Sequence, residues 1–127
     1  MIARDIMTHG VRTIHPNAST QEVARLLSQE RISGVPVVDA NGKVIGIVTE
    51  ADIISKVNRE GLCVADIMSH EVIAVGEETA VSEIATLFTE HKIKRVPVLH
   101  DGKLVGIVSR ADIVNAVAQG HLTIRPW

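Results

Sequence analysis

Thr49 and Asp52 stand three residues apart behind the apolar run Gly46-Ile47-Val48. The pattern returns as Ser109 and Asp112 behind Gly106-Ile107-Val108. Such a pair suits the holding of an anion that also carries hydroxyls. A helix opening after the hydroxyl residue leaves its first backbone N–H groups unpaired, and the hydroxyl, those groups and the helix dipole together favour negative charge. A carboxylate one turn in can accept from both hydroxyls of a ribose, each charge-assisted bond contributing about 1.5–3 kcal/mol. The plain alternative is that both pairs are capping boxes and nothing more. Two copies in one chain weigh against it.

Each pair needs a buried strand to deliver the hydroxyl and a helix to carry the aspartate. Residues 44–48 and 104–108 read as continuous apolar strands. The helices after them are expected to bury Ile53, Ile54 and Val57, and Ile113, Val114 and Val117. Asp5-Ile6-Met7-Thr8-His9 is answered 61 positions later by Asp66-Ile67-Met68-Ser69-His70. Residues 11–14 and 72–75 follow as short β-type runs. Ser19 and Glu22 form a capping box ahead of the stripe Val23, Leu26, Leu27; in the second copy Thr79 is the expected cap and Ile84, Leu87, Phe88 the stripe. Pro36 and Pro97 sit inside matching β-branched runs, which suits a strand start or an edge. Asn41-Gly42 and Asp101-Gly102 have the composition of type I′ hairpin turns. Each half thus reads strand, helix, strand, strand, helix, with repeat 1 over residues 1–60, repeat 2 over 61–127 and a link over 57–65. The expected fold is α/β (α+β), two β-α-β-β-α repeats related by a pseudo-twofold, sheets packed together because a half of ~60 residues buries too little alone.

The bulk properties remove several function classes. The chain has 127 residues, 46% of them hydrophobic, with one Phe, one Trp and no Tyr, so its core is aliphatic. A net charge of −2 gives no global attraction to nucleic acid or anionic lipid. A single cysteine, Cys63, excludes an intrachain disulfide; it fits a reducing cytosol and reads as a small buried apolar residue. No apolar run approaches the ~20 residues of a membrane span. Met1-Ile2-Ala3-Arg4-Asp5 does not open a signal peptide, and the tail over 121–127 carries little. A cytoplasmic protein is expected. No Cys/His cluster has metal-ligand spacing, and Met7 and Met68 read as core fillers or as polarizable lining for a ligand pocket. There is no Gly-x-Ser-x-Gly or His-Glu-x-x-His, and Gly42-Lys43 lacks P-loop spacing. Catalysis is not expected.

Three signatures occur twice in order: Asp-Ile-Met-Thr/Ser, Val-Pro-Val, and Gly-x-x-Thr/Ser-x-x-Asp. Together they resemble a tandem pair of cystathionine-β-synthase (CBS) domains, a Bateman module, over residues 2–119. The resemblance implies an adenosine-containing effector, among AMP, ADP, ATP, S-adenosylmethionine, methylthioadenosine and NAD, with no catalytic cofactor. It also implies a homodimer formed through helices, and sites that draw on both repeats. One site would combine Thr49 and Asp52 with Ser69, Ile73, Ile93, Lys94, Arg95, Val96 and Pro97. The other would combine Ser109, Arg110 and Asp112 with Thr8, Arg12, Ile32, Ser33, Gly34, Val35 and Pro36.

The two implied sites differ. Lys94 and Arg95 replace Ser33 and Gly34, so phosphates should prefer the Thr49/Asp52 site, with Glu50 and Glu71 tempering that charge. Arg110 and Arg12 are the cations of the mirror site. Lys92, Lys94 and Arg95 also read as a solvated helix end. The expected function is a regulatory module that senses an adenosine nucleotide and signals to an effector protein. The rival is a structural dimerisation or protein-interaction module with vacant clefts. Nucleic-acid binding through Lys92, Lys94 and Arg95 is a weaker third reading.

Overall fold

Local capping chemistry sets the first long helix. The Glu22 N–H donates to Ser19 Oγ at 3.0 Å, and Glu22 Oε1 accepts from the Ser19 N–H at 3.4 Å. In this computed structural model, which describes residues 1–122 and 124, the helix runs over Thr20–Glu30 and buries Val23 and Leu27. The chain order is α1 (Ala3–Ile6), α2 (Thr20–Glu30), β1 (Gly34–Val38), β2 (Val44–Thr49), α3 (Glu50–Ile54), α4 (Val64–Ile67), β3 (Val75–Gly76), α5 (Val81–His91), β4 (Arg95–His100), β5 (Lys103–Ser109) and α6 (Arg110–Ala118). Thr123, Arg125, Pro126 and Trp127 of the tail lie outside the described residues.

The fold is mixed α/β, in two compact units. One is Arg12–Val72; the other joins Met1–Val11 to the chain from Ile73 onward. The opening segment therefore belongs with the elements of the second copy, and residues 61–72 belong with those of the first. In the Arg12–Val72 unit, β1 and β2 pair antiparallel, and Ile14 adds a single parallel bridge to Val37. In the other unit, β3 runs parallel to β4, and β4 antiparallel to β5. The strand expected over 11–14 is thus one bridge, while that over 72–75 survives as β3.

Each unit has its own aliphatic core. Val23, Leu27, Val35, Val37, Val48, Val64 and Ile67 make one. Ala3, Val75, Ile84, Phe88, Val96, Val98 and Val108 make the other. At about 25 cal/mol per Å² of apolar surface buried, each fully enclosed Val or Ile contributes roughly 1.5–3 kcal/mol.

The prolines sit inside β1 and β4, and the hydrogen bonding shows why they are tolerated. Ile47, opposite Pro36, directs both backbone groups to Ser69 (3.0 and 2.8 Å). Its partner position on β1 therefore faces away from β2, where a missing N–H breaks no ladder bond. Pro97 and Ile107 repeat this, with Ile107 bonded to Thr8 (3.0 and 2.8 Å).

Four local expectations need correction. Asp101 and Gly102 both have positive φ (52° and 78°) as a type I′ turn requires, but Asn41 does not. There the extra residue makes a longer turn, with the Gly42 N–H donating to the Asp39 carbonyl and Asp39 Oδ1 accepting from the Asn41 and Lys43 N–H groups. Thr79 does not cap α5, whose N-cap is Ala80; its hydroxyl accepts from the Gly76 N–H at 3.0 Å instead. Cys63 is half-buried, at the N-cap of α4. Finally, Ile53 and Ile113 do pack on the cores, but Ile54, Val57 and Val114 are 70%, 65% and 66% exposed. One residue per turn reaches the sheet, and its successor points about 100° away. No helix among the described residues is long and apolar enough to cross a membrane.

Candidate functional site

Strand β2 ends on Thr49, which is the N-cap of α3. Asp52 Oδ2 accepts from the Thr49 N–H at 2.8 Å and from Thr49 Oγ1 at 3.1 Å, while the Asp52 N–H reaches back to Thr49 Oγ1 at 3.4 Å. Ser109 and Asp112 at the head of α6 repeat this at 2.8, 3.0 and 3.3 Å. Both pairs are therefore capping boxes, and the cap fixes each carboxylate through Oδ2 alone. Chemistry with a ligand falls to Oδ1.

The opening segments meet these strands. Asp5 and Asp66 close single-turn helices by accepting from the Ile2 and Cys63 N–H groups at 2.9 and 2.8 Å. The Cys63 backbone bond, then its side chain, holds the Asp66 carboxyl below its ordinary value of 3.8. After each turn the backbone goes extended at Met7 and Met68, and the next residue pairs with β5 or β2. The methionines cross at the two strand glycines. A Cβ on Gly46 would lie 2.7 Å from Met68 Sδ and 2.8 Å from the Ser69 carbonyl oxygen; on Gly106 it would lie 2.6 Å from Met7 Sδ and 3.1 Å from the Thr8 carbonyl oxygen. The three repeated signatures thus converge on one strand in each unit, with the Val-Pro strand on one side and the methionine segment on the other.

This crossing was missed by sequence reasoning. Its signal was a glycine inside an otherwise apolar strand, which marks close approach of another backbone.

One contact distinguishes the two grips. Thr8 Oγ1 donates to Asp112 Oδ1 at 3.2 Å. Ser69, at the matching place, makes no such bond, and Asp52 Oδ1 has no partner among the described residues. Both aspartates are half-buried, whereas Thr8 and Ser69 are exposed.

Of the residues expected around Thr49 and Asp52, Ser69 shares their unit; Ile73, Ile93, Lys94, Arg95, Val96 and Pro97 belong to the other. Thr8 shares a unit with Ser109, Arg110 and Asp112, whereas Arg12, Ile32, Ser33, Gly34, Val35 and Pro36 do not. Within a unit, each grip adjoins its own copy of the Val-Pro strand. The Ser33 carbonyl accepts from the Glu50 N–H at 3.0 Å, and the Lys94 carbonyl from the Arg110 N–H at 3.1 Å. Gly34 pairs with Thr49, and Arg95 with Ser109. Arg12 is engaged by Glu30 at 2.9 Å. Val35 and Val96 spend their side chains in the cores. No group of acidic, His and Cys side chains suited to a metal ion occurs among the described residues.

The family model of the CBS domain matches residues 3–59 and again 64–119. The chain belongs to the CBS domain family. Among its relatives, the CBS domain-containing protein YhcV of Bacillus subtilis (strain 168) is 32% identical over 87% of this chain and 81% of its own length. The L-aspartate semialdehyde sulfurtransferase of Methanocaldococcus jannaschii is 34% identical over 88% of this chain, which spans only 22% of that enzyme. The solved CBS domain pair of protein MJ0100, in complex with 5′-methylthioadenosine and S-adenosyl-L-methionine, superimposes with a TM-score of 0.84 at 31% identity, covering 94% of this chain and 98% of that one. CBSX2 in complex with AMP, a protein of Arabidopsis thaliana, gives 0.88 at 29% identity, covering 95% and 98%.

Proposed function

We propose that this CBS pair is a regulatory module that binds an adenosine-containing ligand and passes its occupancy to an effector protein. Asp52 and Asp112 take the ribose hydroxyls; Thr49 and Ser109 face the phosphate or its substitute. The N–H groups of Glu50, Asp52, Arg110 and Asp112, expected to be unpaired, are spent on Ser33, Thr49, Lys94 and Ser109 and add little to that grip. Ser69 and Thr8 flank the two grips. The observation that carries this reading is the half-buried Asp52 carboxylate, fixed through Oδ2 by its own cap, with Oδ1 unspent among the described residues. A capping box needs one acceptor oxygen, and a vicinal diol needs what is left. The adenosine ligands of the MJ0100 pair and CBSX2 support the same ligand class. The sulfurtransferase activity of the longer relative is not carried over, since the chain matches 22% of it.

The module acts as a homodimer in the cytoplasm. Ile54 at the end of α3, Val57 beyond it, and Val114 on α6 leave apolar side chains in solvent, and a second copy would cover them. The unpaired Cys63 suits a reducing compartment.

A thermal-shift panel of AMP, ADP, ATP, S-adenosylmethionine, methylthioadenosine and NAD tests the ligand class. A ligand at 100 times its Kd adds about 2.7 kcal/mol of stability, a rise of several degrees in Tm. If none of the six moves the transition, the module is a dimerisation device and the sensor reading is wrong.

A further inference from the structure

We propose that the Thr8 hydroxyl is a latch on the Asp112 carboxylate, so that the Asp52 grip fills first and the Asp112 grip opens only when Thr8 is displaced. The proposal rests on the nucleotide reading above. A carboxylate offers roughly four lone-pair sites. Among the described residues, two are taken at Asp52, both on Oδ2 by Thr49. At Asp112 three are taken: Ser109 uses Oδ2 through its N–H and Oγ, and Thr8 uses Oδ1 at 3.2 Å. A vicinal diol donates two hydrogen bonds. Asp52 accepts both as it stands, whereas Asp112 has room for one while Thr8 stays.

The side-chain types account for the difference. Thr8 and Ser69 occupy matching positions, each pinned by two backbone bonds to the central strand, Thr8 to Ile107 and Ser69 to Ile47. The β-branched threonine is stiff about χ1, which holds its hydroxyl on Asp112. Serine lacks that restraint, and Ser69 makes no bond to Asp52. Because Thr8 lies next to Met7 over Gly106, turning it away also loosens the segment that crosses β5. Filling the second grip is thereby coupled to the Met1–Val11 segment, and filling the first is not.

The test is an AMP titration of the 15N-labelled full chain, with the amides of Thr49 and Asp52 reporting one grip and those of Ser109 and Asp112 the other. Wild type should show its Asp52 reporters saturating first. Thr8→Val, which keeps the shape and removes the donor, should tighten AMP at the Asp112 reporters by about three- to tenfold, the worth of one hydrogen bond, and leave the Asp52 reporters unchanged. Ser69→Thr should weaken the Asp52 grip. Thr8→Ser covers the case of a misfolded valine variant and should lie between wild type and Thr8→Val. Affinity at Asp112 that is unchanged or lowered in these Thr8 variants overturns the latch while the nucleotide reading stands. AMP that shifts neither set of amides overturns the nucleotide reading, and the latch with it.

Discussion

Gly46→Ala should destabilise the protein, although an alanine in a strand interior would ordinarily gain by shedding glycine's excess backbone entropy. The added Cβ would stand 2.7 Å from Met68 Sδ and 2.8 Å from the Ser69 carbonyl oxygen. The sulfur ends a flexible stem and can move. The carbonyl cannot move cheaply, because the Ser69 and Ile47 backbones hold each other through two bonds of 2.8 and 3.0 Å. Overpacking of this kind costs about 1–3 kcal/mol. Gly106→Ala meets Met7 Sδ at 2.6 Å but the Thr8 carbonyl only at 3.1 Å, so more of its clash is side chain. Urea denaturation of both variants, alone and combined with Met68→Ala or Met7→Ala, separates the contributions. Met7→Ala should relieve a larger share of the Gly106→Ala cost than Met68→Ala does for Gly46→Ala. A neutral or stabilising Gly46→Ala would refute the close crossing of the methionine segment over β2.

Three further predictions follow from other parts of the fold. Arg31 and Lys92 end α2 and α5 with φ of 53° and 54°. Glycine removes the side-chain penalty of that conformation, so Arg31→Gly and Lys92→Gly should each raise stability by about 0.5 kcal/mol in chemical denaturation; a loss in both would contradict the left-handed caps. The Asp66 carboxyl is held below 3.8 by Cys63, so its contribution is present above that pH and fades as pH falls through the lowered value. Asp66→Asn should flatten the acid limb of a stability–pH curve, and an unaltered limb would show the cap to be idle. Ile54→Glu combined with Val114→Glu, both exposed on the single chain, should yield monomers in analytical ultracentrifugation and an unfolding midpoint that no longer depends on protein concentration; persistence of dimers would place the interface elsewhere.

What the sequence disclosed was local. The Ser19–Glu22 box, the Asp101-Gly102 turn and the hydroxyl–aspartate caps each lie within four residues, where side chain and backbone decide the outcome together. The aliphatic stripes of α2 and α5 were legible for the same reason. What escaped depends on contacts distant along the chain. The Thr8–Asp112 bond joins residues 104 positions apart, and the placement of Met1–Val11 with the second copy follows from strand pairing that no window reveals. Ile54, Val57 and Val114 were misassigned because apolar character alone does not say which face of a short helix meets the sheet.

Calorimetric titration with AMP of wild type, Asp52→Asn, Asp112→Asn and the double variant measures whether the two capped aspartates hold an adenosine ligand. Asparagine keeps an oxygen for the Thr49 or Ser109 cap but loses the charge and the second acceptor. Each single variant should weaken one binding event at least tenfold, about 1.4 kcal/mol, and the double variant should bind no AMP while still unfolding cooperatively. A double variant that binds AMP as tightly as wild type would show that neither aspartate holds the ligand.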